Sequence, residues 1–284
     1  MIAEGSRPIY APAVTYPIAD LEAFIDRHPR LLVLTGAGCS TDSGIPDYRD
    51  ADGAWKRKPP VTFQAFTGND TTRRRYWARS LVGWRYFGMA EPNATHKALA
   101  RLEEHGKVSR LVTQNVDRLH QKAGSRDVVD LHGRLDIVRC LACRHTMGRD
   151  GFQAHLEALN PDWVSLDALR APDGDADLEG LDFDAFAIPP CPQCGGMLKP
   201  DVVFFGENIP RPWVDDAQAG LDAADAVLVV GSSLMVYSGY RIVLQASRRG
   251  LPVAALNLGR TRADELLSLK VEAPCGEGLS FLMN

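Results

Sequence analysis

At 284 residues, 45% of them hydrophobic and 24% charged, the chain is long enough for one large or two coupled domains and too apolar to stay disordered. Its 32 basic and 36 acidic residues leave a formal net charge of -4, so no overall positive field draws it directly to nucleic acid or to anionic lipid. The opening MIAEGSRPIY lacks the basic and apolar segments of a secretion signal, and no apolar run reaches the roughly 20 residues of a membrane span. A reducing, cytoplasmic setting is expected, where the six cysteines serve as thiols or metal ligands rather than disulfides.

The first predicted strand is the apolar run 31–34, followed at once by a glycine loop. Residues 51–94, rich in Arg and aromatic side chains (RRRYWARSLVGWRYF), read as a helical or irregular insertion, and 95–106 as a helix ending at Gly106. Short valine-rich runs at 111–112 and 128–131 are the next strands. Residues 134–200 break the pattern with paired cysteines and an acidic loop, APDGDADLEG. Beyond them a helix over 213–225, a strand at 227–230, a helix over 237–250 ending at Gly250 and a strand at 253–256 resume the alternation. Strands alternating with helices predict an α/β fold, a Rossmann-like doubly wound parallel sheet with helices on both faces. The expected division is a large domain from 1–50, 107–133 and 201–284, with a smaller zinc-binding and helical domain built from two insertions, 51–106 and 134–200.

Cys140-x-x-Cys143 and Cys191-x-x-Cys194 each have the spacing that lets a tight turn aim two sulfurs at one tetrahedral ion. Four thiolates and no open position describe one structural zinc ion. The 47 residues between the pairs, 144–190, exceed the roughly 15–20 of a compact ribbon, so an insertion loops out between them. A disulfide or a redox C-x-x-C is the alternative use of the same spacing.

After the first strand, Gly36 and Gly38 allow a backbone to approach a pyrophosphate closely, with the hydroxyls of Ser40 and Thr41 beside it. The third glycine of the usual dinucleotide fingerprint is replaced by Thr41, and no acidic residue closes a second strand about 20 residues on, which weakens a hydride-transfer reading. A tight turn without any ligand satisfies the same glycines. Other predicted strand ends carry Thr113-Gln114-Asn115-Val116-Asp117, Leu131-His132-Gly133, Gly231-Ser232-Ser233 and Asn257-Leu258-Gly259. These polar residues fall at the carboxyl edge of the sheet, where open α/β folds bind ligands.

GAGCSTDSGIPDYR, TQNVD, LHG, the two C-x-x-C pairs, KPDVVFFGE, VVGSSL and NLG follow one another in the order found in sirtuins, the NAD-dependent protein lysine deacylases. The resemblance spans about residues 31–276. Tyr48 after IPD, the YWAR..VGW stretch, the APDGD loop and VYSGYR resemble the class II branch, which includes the sirtuin-4 type. The resemblance implies attack by the acyl oxygen of a modified lysine on the nicotinamide ribose, release of nicotinamide, and transfer of the acyl group to ADP-ribose. It implies that His132 is the base on the ribose hydroxyls, for which an imidazole titrating near working pH is suited. Asn115 would position the ribose and the reaction water; Ile45 and Asp117 would receive the nicotinamide carboxamide, and Gln114 the ribose. Pro46, Asp47, Tyr48 and Arg49 belong to a loop that closes over NAD. Gly36, Ala37, Gly38, Ser40, Gly231, Ser232 and Ser233 match the pyrophosphate and adenine-ribose contacts, with Asn257, Leu258, Gly259 and Cys275 toward the adenosine end.

The implied partner is an acyl-lysine protein lying extended between two segments. One is Val203, Phe204, Phe205, Gly206 and Glu207; the other is Leu234, Met235 and Val236, running on to Ser238. Many relatives have a proline shortly after GSSL, whereas Tyr237-Ser238 stands here. Tyr48 replaces a frequent phenylalanine. Tyr76 and Arg79 have the i, i+3 spacing with which one sirtuin branch binds acidic acyl groups, although a solvent-facing arginine has the same spacing. The acidic stretch 173–179 is either a gate at the site entrance or a solvated loop. Two other activities remain compatible with these residues: protein mono-ADP-ribosyl transfer, and non-catalytic sensing of NAD or acyl-lysine. The sequence leaves the oligomeric state open.

Overall fold

The computed structural model describes residues 17–56, 59–166, 178 and 181–283. Its larger sheet consists of β1 (Leu31–Thr35), β2 (Val108–Thr113), β3 (Val128–Asp130), β7 (Ala226–Val230), β8 (Val253–Leu256) and β9 (Leu269–Val271). They pair in parallel in the order β3-β2-β1-β7-β8-β9. β1 and β7 are buried at every residue, as their uninterrupted apolar runs require of strands covered on both faces. One face packs on α1 (Ile18–Arg27), α4 (Ala94–Glu104) and α10 (Cys275–Gly278), the other on α8 (Arg211–Asp222) and α9 (Tyr237–Arg248). Strand order reverses between β1 and β7, so the loops leaving their carboxyl ends diverge there and leave a crevice.

The expected helices are found with shifted ends. α4 starts one residue early because Asn93 caps it: its side-chain oxygen accepts from the amides of Thr95 and His96, at 2.9 and 3.4 Å. Gly106 and Gly250 lie just past α4 and α9 with φ of +74°, as C-terminal glycines should. α1 and β9 have no counterpart among the elements expected from sequence.

A second, antiparallel sheet, β5-β4-β6, is made of β4 (Gly133–Cys140), β5 (Thr146–Gly148) and β6 (Leu198–Val202). Arg139 clamps β4 to β6 through two bonds of 2.7 Å to Asp201. Helices α2 (Phe63–Gly68), α3 (Asp70–Phe87), α6 (Arg149–Leu159) and α7 (Pro161–Val164) surround it. Phe66, Tyr76, Trp77, Phe152 and Phe186 form their common core, so the aromatic richness of 51–94 is packing material for α3. A short helix, α5 (Leu119–Lys122), follows β2. Of the acidic stretch 173–179 only Leu178 is described; it is buried in this core, and the rest lies outside the described residues. The architecture is a Rossmann-like parallel sheet with a separate small unit, as expected.

Candidate active site

A cleft of about 590 Å³ opens at the crevice between β1 and β7 and is closed on the far side by the small sheet. Its floor is backbone. The Gly38 amide donates to Gly231 O at 2.8 Å, and the Gly36 amide to Val230 O at 3.2 Å. A Cβ on Gly36 would stand 2.8 Å from Ser232 Cβ, and one on Gly38 2.9 Å from Gly231 O, so both glycines are needed because two loops touch there. Gly231, with φ of +60°, faces the Cys39 amide just as closely.

Polar side chains rise from this floor. Asn115 Nδ2 donates to Gly36 O at 3.0 Å and to Ser40 Oγ at 3.1 Å. Ser40 Oγ donates to Asp117 Oδ2 at 2.6 Å, while Asp117 Oδ1 accepts from the Leu119 amide at 2.9 Å. Burial outweighs these bonds and raises the Asp117 carboxyl above its ordinary value. Gln114 accepts from Ser232 Oγ at 2.7 Å.

His132 follows β3 and lines the cleft. Its Nδ1 lies 3.1 Å from Gln114 O and its Nε2 2.7 Å from Ser238 Oγ. A carbonyl only accepts, so Nδ1 carries the hydrogen and Nε2 presents a lone pair. Burial lowers the imidazole pKa to about 4, against the Gln114 bond that works to raise it, and the ring is neutral near pH 7. The backbone of the same residue anchors the opposite wall, the Val203 amide donating to His132 O at 2.8 Å.

Nearly every predicted residue meets in this cleft: Gly36, Ala37, Gly38, Ser40, Ile45, Asp47, Tyr48, Arg49, the Gln114–Asn115–Asp117 group, His132, 203–207, 231–236, Asn257 and Leu258. Pro46, Gly259 and Cys275 lie outside its lining. Cys275 is buried at the start of α10, in the same core as Cys39, and Gly259 backs onto Ala51. Phe204 is buried against Phe66 and Tyr76, whereas Phe205 is 40% exposed. Trp55 also lines the cleft, without having been expected from its place in the sequence. Its ring stacks edgewise on Tyr48 and Phe205, at 6.1 and 5.8 Å, and lies 3.9 Å beneath the Arg49 guanidinium, completing an aromatic wall. Of the Tyr76/Arg79 pair only Tyr76 lines the cleft.

The four paired cysteines form a second centre. Their sulfurs lie within 4.8 Å of one another, with Cys140–Cys194 at 3.5 Å and Cys143–Cys191 at 3.7 Å. A tetrahedron of Zn–S bonds of about 2.3 Å has edges of about 3.8 Å, so the donor set fits the ion. The thiols cannot all ionise unaided. The Cys143 amide, donating to Cys140 Sγ, holds the Cys140 pKa down to about 6. Cys143 itself is favoured as thiolate by the His145 backbone yet pushed up to about 12 by hydrogen bonds with Cys194, Cys140 and Cys191. A dication resolves that conflict. Cys191→Ser is expected to lose bound zinc, measured by atomic emission, and to lose the cooperative melting of the small unit with it.

The Sir2 family model matches residues 36–238. The chain belongs to the Sir2 family. Among similar proteins is an NAD-dependent protein deacetylase of Xanthomonas axonopodis pv. citri, 68% identical over 92% of this chain and 89% of that protein. Another is the NAD-dependent protein deacylase Sirt4 of Drosophila melanogaster, 48% identical over 98% and 90%. A solved Sir2–p53 peptide–NAD+ complex superposes with a TM-score of 0.74 at 29% identity, covering 94% of this chain and 98% of that one. In this Sir2 family member, no helix among the described residues is long and apolar enough to cross a membrane.

Proposed function

We propose that the protein is an NAD-dependent protein lysine deacylase in which His132 is the base, and Asn115, Asp117 and Gln114 hold the nicotinamide riboside end of NAD. It transfers the acyl group to ADP-ribose and releases nicotinamide. The observation that carries this reading is the neutral imidazole of His132, fixed by the Gln114 carbonyl with Nε2 turned into the cleft. When bound, NAD supplies the electrophilic ribose carbon and the leaving group. Nε2 then takes the proton of a ribose hydroxyl, a role that needs the lone pair described above. Asp117 offers a carboxylate oxygen to the amide hydrogens of the carboxamide.

The loops from 36–40 and 231–233 accommodate the pyrophosphate by the close approach their glycines allow, the Gly36 and Gly38 amides being already bonded across the two loops, with Asn257, Leu258, Gly259 and Cys275 toward the adenosine. Pro46 to Arg49 close over NAD, with Trp55 bracing Tyr48 and Arg49. The acyl-lysine enters between 203–207 and 234–236, beside Phe204 and Phe205. Zinc on Cys140, Cys143, Cys191 and Cys194 is structural. We divide the chain at 1–50, 107–133 and 201–284 for the NAD-binding domain and at 51–106 and 134–200 for the small domain. The fruit-fly relative at 48% identity, with the VYSGYR segment, supports placement in the class II, sirtuin-4-like branch.

The test is nicotinamide release from NAD with mass spectrometry of the products, over acetyl, long-chain, succinyl, methylglutaryl-type and lipoyl lysine peptides. Acyl-dependent release with equimolar O-acyl-ADP-ribose is the expected result. ADP-ribose appearing on protein in excess of that product would replace deacylation with ADP-ribosyl transfer, and NAD binding with no release would leave only a sensor.

A further inference from the structure

The hydroxyl of Ser238 occupies the lone pair that His132 turns into the cleft. Ser238 lies in the first turn of α9, at the end of a segment whose resemblance implies an extended peptide-binding strand. Helical from Tyr237 onward, the chain there turns a side chain back into the cleft, and Ser238 Oγ stands 2.7 Å from His132 Nε2. Nδ1 is committed to Gln114 O, so Ser238 is the donor and the Nε2 lone pair the acceptor. That lone pair is the one a ribose hydroxyl must reach.

We propose that Ser238 is a positioning residue for His132: it holds the Nδ1–H tautomer in the free enzyme, and yields Nε2 to the ribose hydroxyl when substrate binds. This rests on the reading of His132 as the base. The proton balance is simple. The ribose O–H bond breaks, an Nε2–H bond forms, and the imidazolium is left with two N–H donors. Gln114 O accepts from one. The Ser238 hydroxyl, which both donates and accepts, turns about its C–O bond and accepts from the other. A proline at this position could do neither, having no hydroxyl. Ser238 thus supplies a hydrogen bond to the base before and after proton transfer, and the bond to the charged form is the stronger of the two.

Two measurements test this. The first needs no NAD: the 15N shifts of the His132 ring in the free protein. Ser238→Ala is expected to move Nε2 toward the position of an unbonded lone pair, and Ser238→Thr to restore it. The second separates steps. Nicotinamide release comes before the proton reaches His132, so Ser238→Ala should lower O-acyl-ADP-ribose formation by about fivefold to tenfold, the weight of one hydrogen bond. Nicotinamide exchange into NAD and the KM for NAD should stay within about twofold, because both are set before the proton reaches His132. An unmoved Nε2 resonance, or exchange and product formation falling together, would overturn the proposal. His132→Ala run alongside keeps the two readings apart: if it still forms product, the base assignment fails. If it does not, while Ser238→Ala is indifferent, only the role of Ser238 fails.

Discussion

His132→Ala is expected to lower O-acyl-ADP-ribose formation by about 10²- to 10⁴-fold, the range of a positioned general base, while leaving the protein folded. The ring makes polar contacts with Gln114 O and Ser238 Oγ, and neither belongs to the strand pairing that holds the sheet. A melting midpoint close to that of the parent protein is therefore expected. The pH profile gives an independent check. Because the acid limb of kcat/KM reports the base in the free enzyme, and enclosure lowers this imidazole to about 4, the limb should lie below pH 6. A limb at the ordinary histidine value near 6.5, in protein still folded, would show that the ring is not held neutral as the geometry requires.

The second large effect concerns stability in acid. Three histidines have lowered pKa values, all through burial: His96 to about 4, His132 to about 4, and His120 well below its ordinary value, with a further push from His96. The rings of His96 and His120 are 4.8 Å apart between centroids, so neither charges easily beside the other. Above about pH 6.5 folded and unfolded chains both carry neutral imidazoles. Below it the unfolded chain takes up protons that the native one refuses, and stability falls as pH drops toward about 4. With three groups the slope approaches about 4 kcal/mol per pH unit. Asp117 and Asp130, whose carboxyls are raised by burial, act in the opposite sense near the foot of this window and flatten it. Urea midpoints at pH 7.5, 6 and 5 are expected to fall steadily. A constant midpoint across that range would show that the three rings can be charged inside the folded protein.

Much of the fold was legible because its strands are short, apolar and valine-rich, and buried on both sides. β9 was not, since Lys270 stands in its middle. That lysine is 5% exposed, its ammonium 3.0 Å from Asp264 and 3.2 Å from Glu272, partners that no local pattern announces. The small sheet was hidden for another reason: β4 and β6 are separated by 57 residues, 141–197, and Arg139–Asp201 joins them only in space. At the site, the glycines and polar strand ends could be read from sequence, as their residue types answer to backbone contact and to hydrogen bonding. Trp55 could not, nor could the contact of Ser238 with His132. Trp55 earns its place by stacking on Tyr48 and Phe205, and Ser238 by a helix start that aims its hydroxyl at an imidazole more than 100 positions away.

The interlocked loops at Gly36, Gly38 and Gly231 bear on how the protein could be engineered. Their contact is largely main chain against main chain, so a side chain added on either loop displaces the other and deforms the floor of the cleft from both sides. The walls are built differently: Tyr48, Trp55, Tyr76, Phe205 and Met235 meet the cleft through side chains, whose volumes can be exchanged with local repacking. A library aimed at a new acyl group should therefore be confined to Tyr76, Phe205 and Met235, which lie outside the 46–49 loop and its Trp55 brace. Retained NAD binding across its members, with altered acyl preference, would mark the boundary between what this cleft can vary and what it must keep.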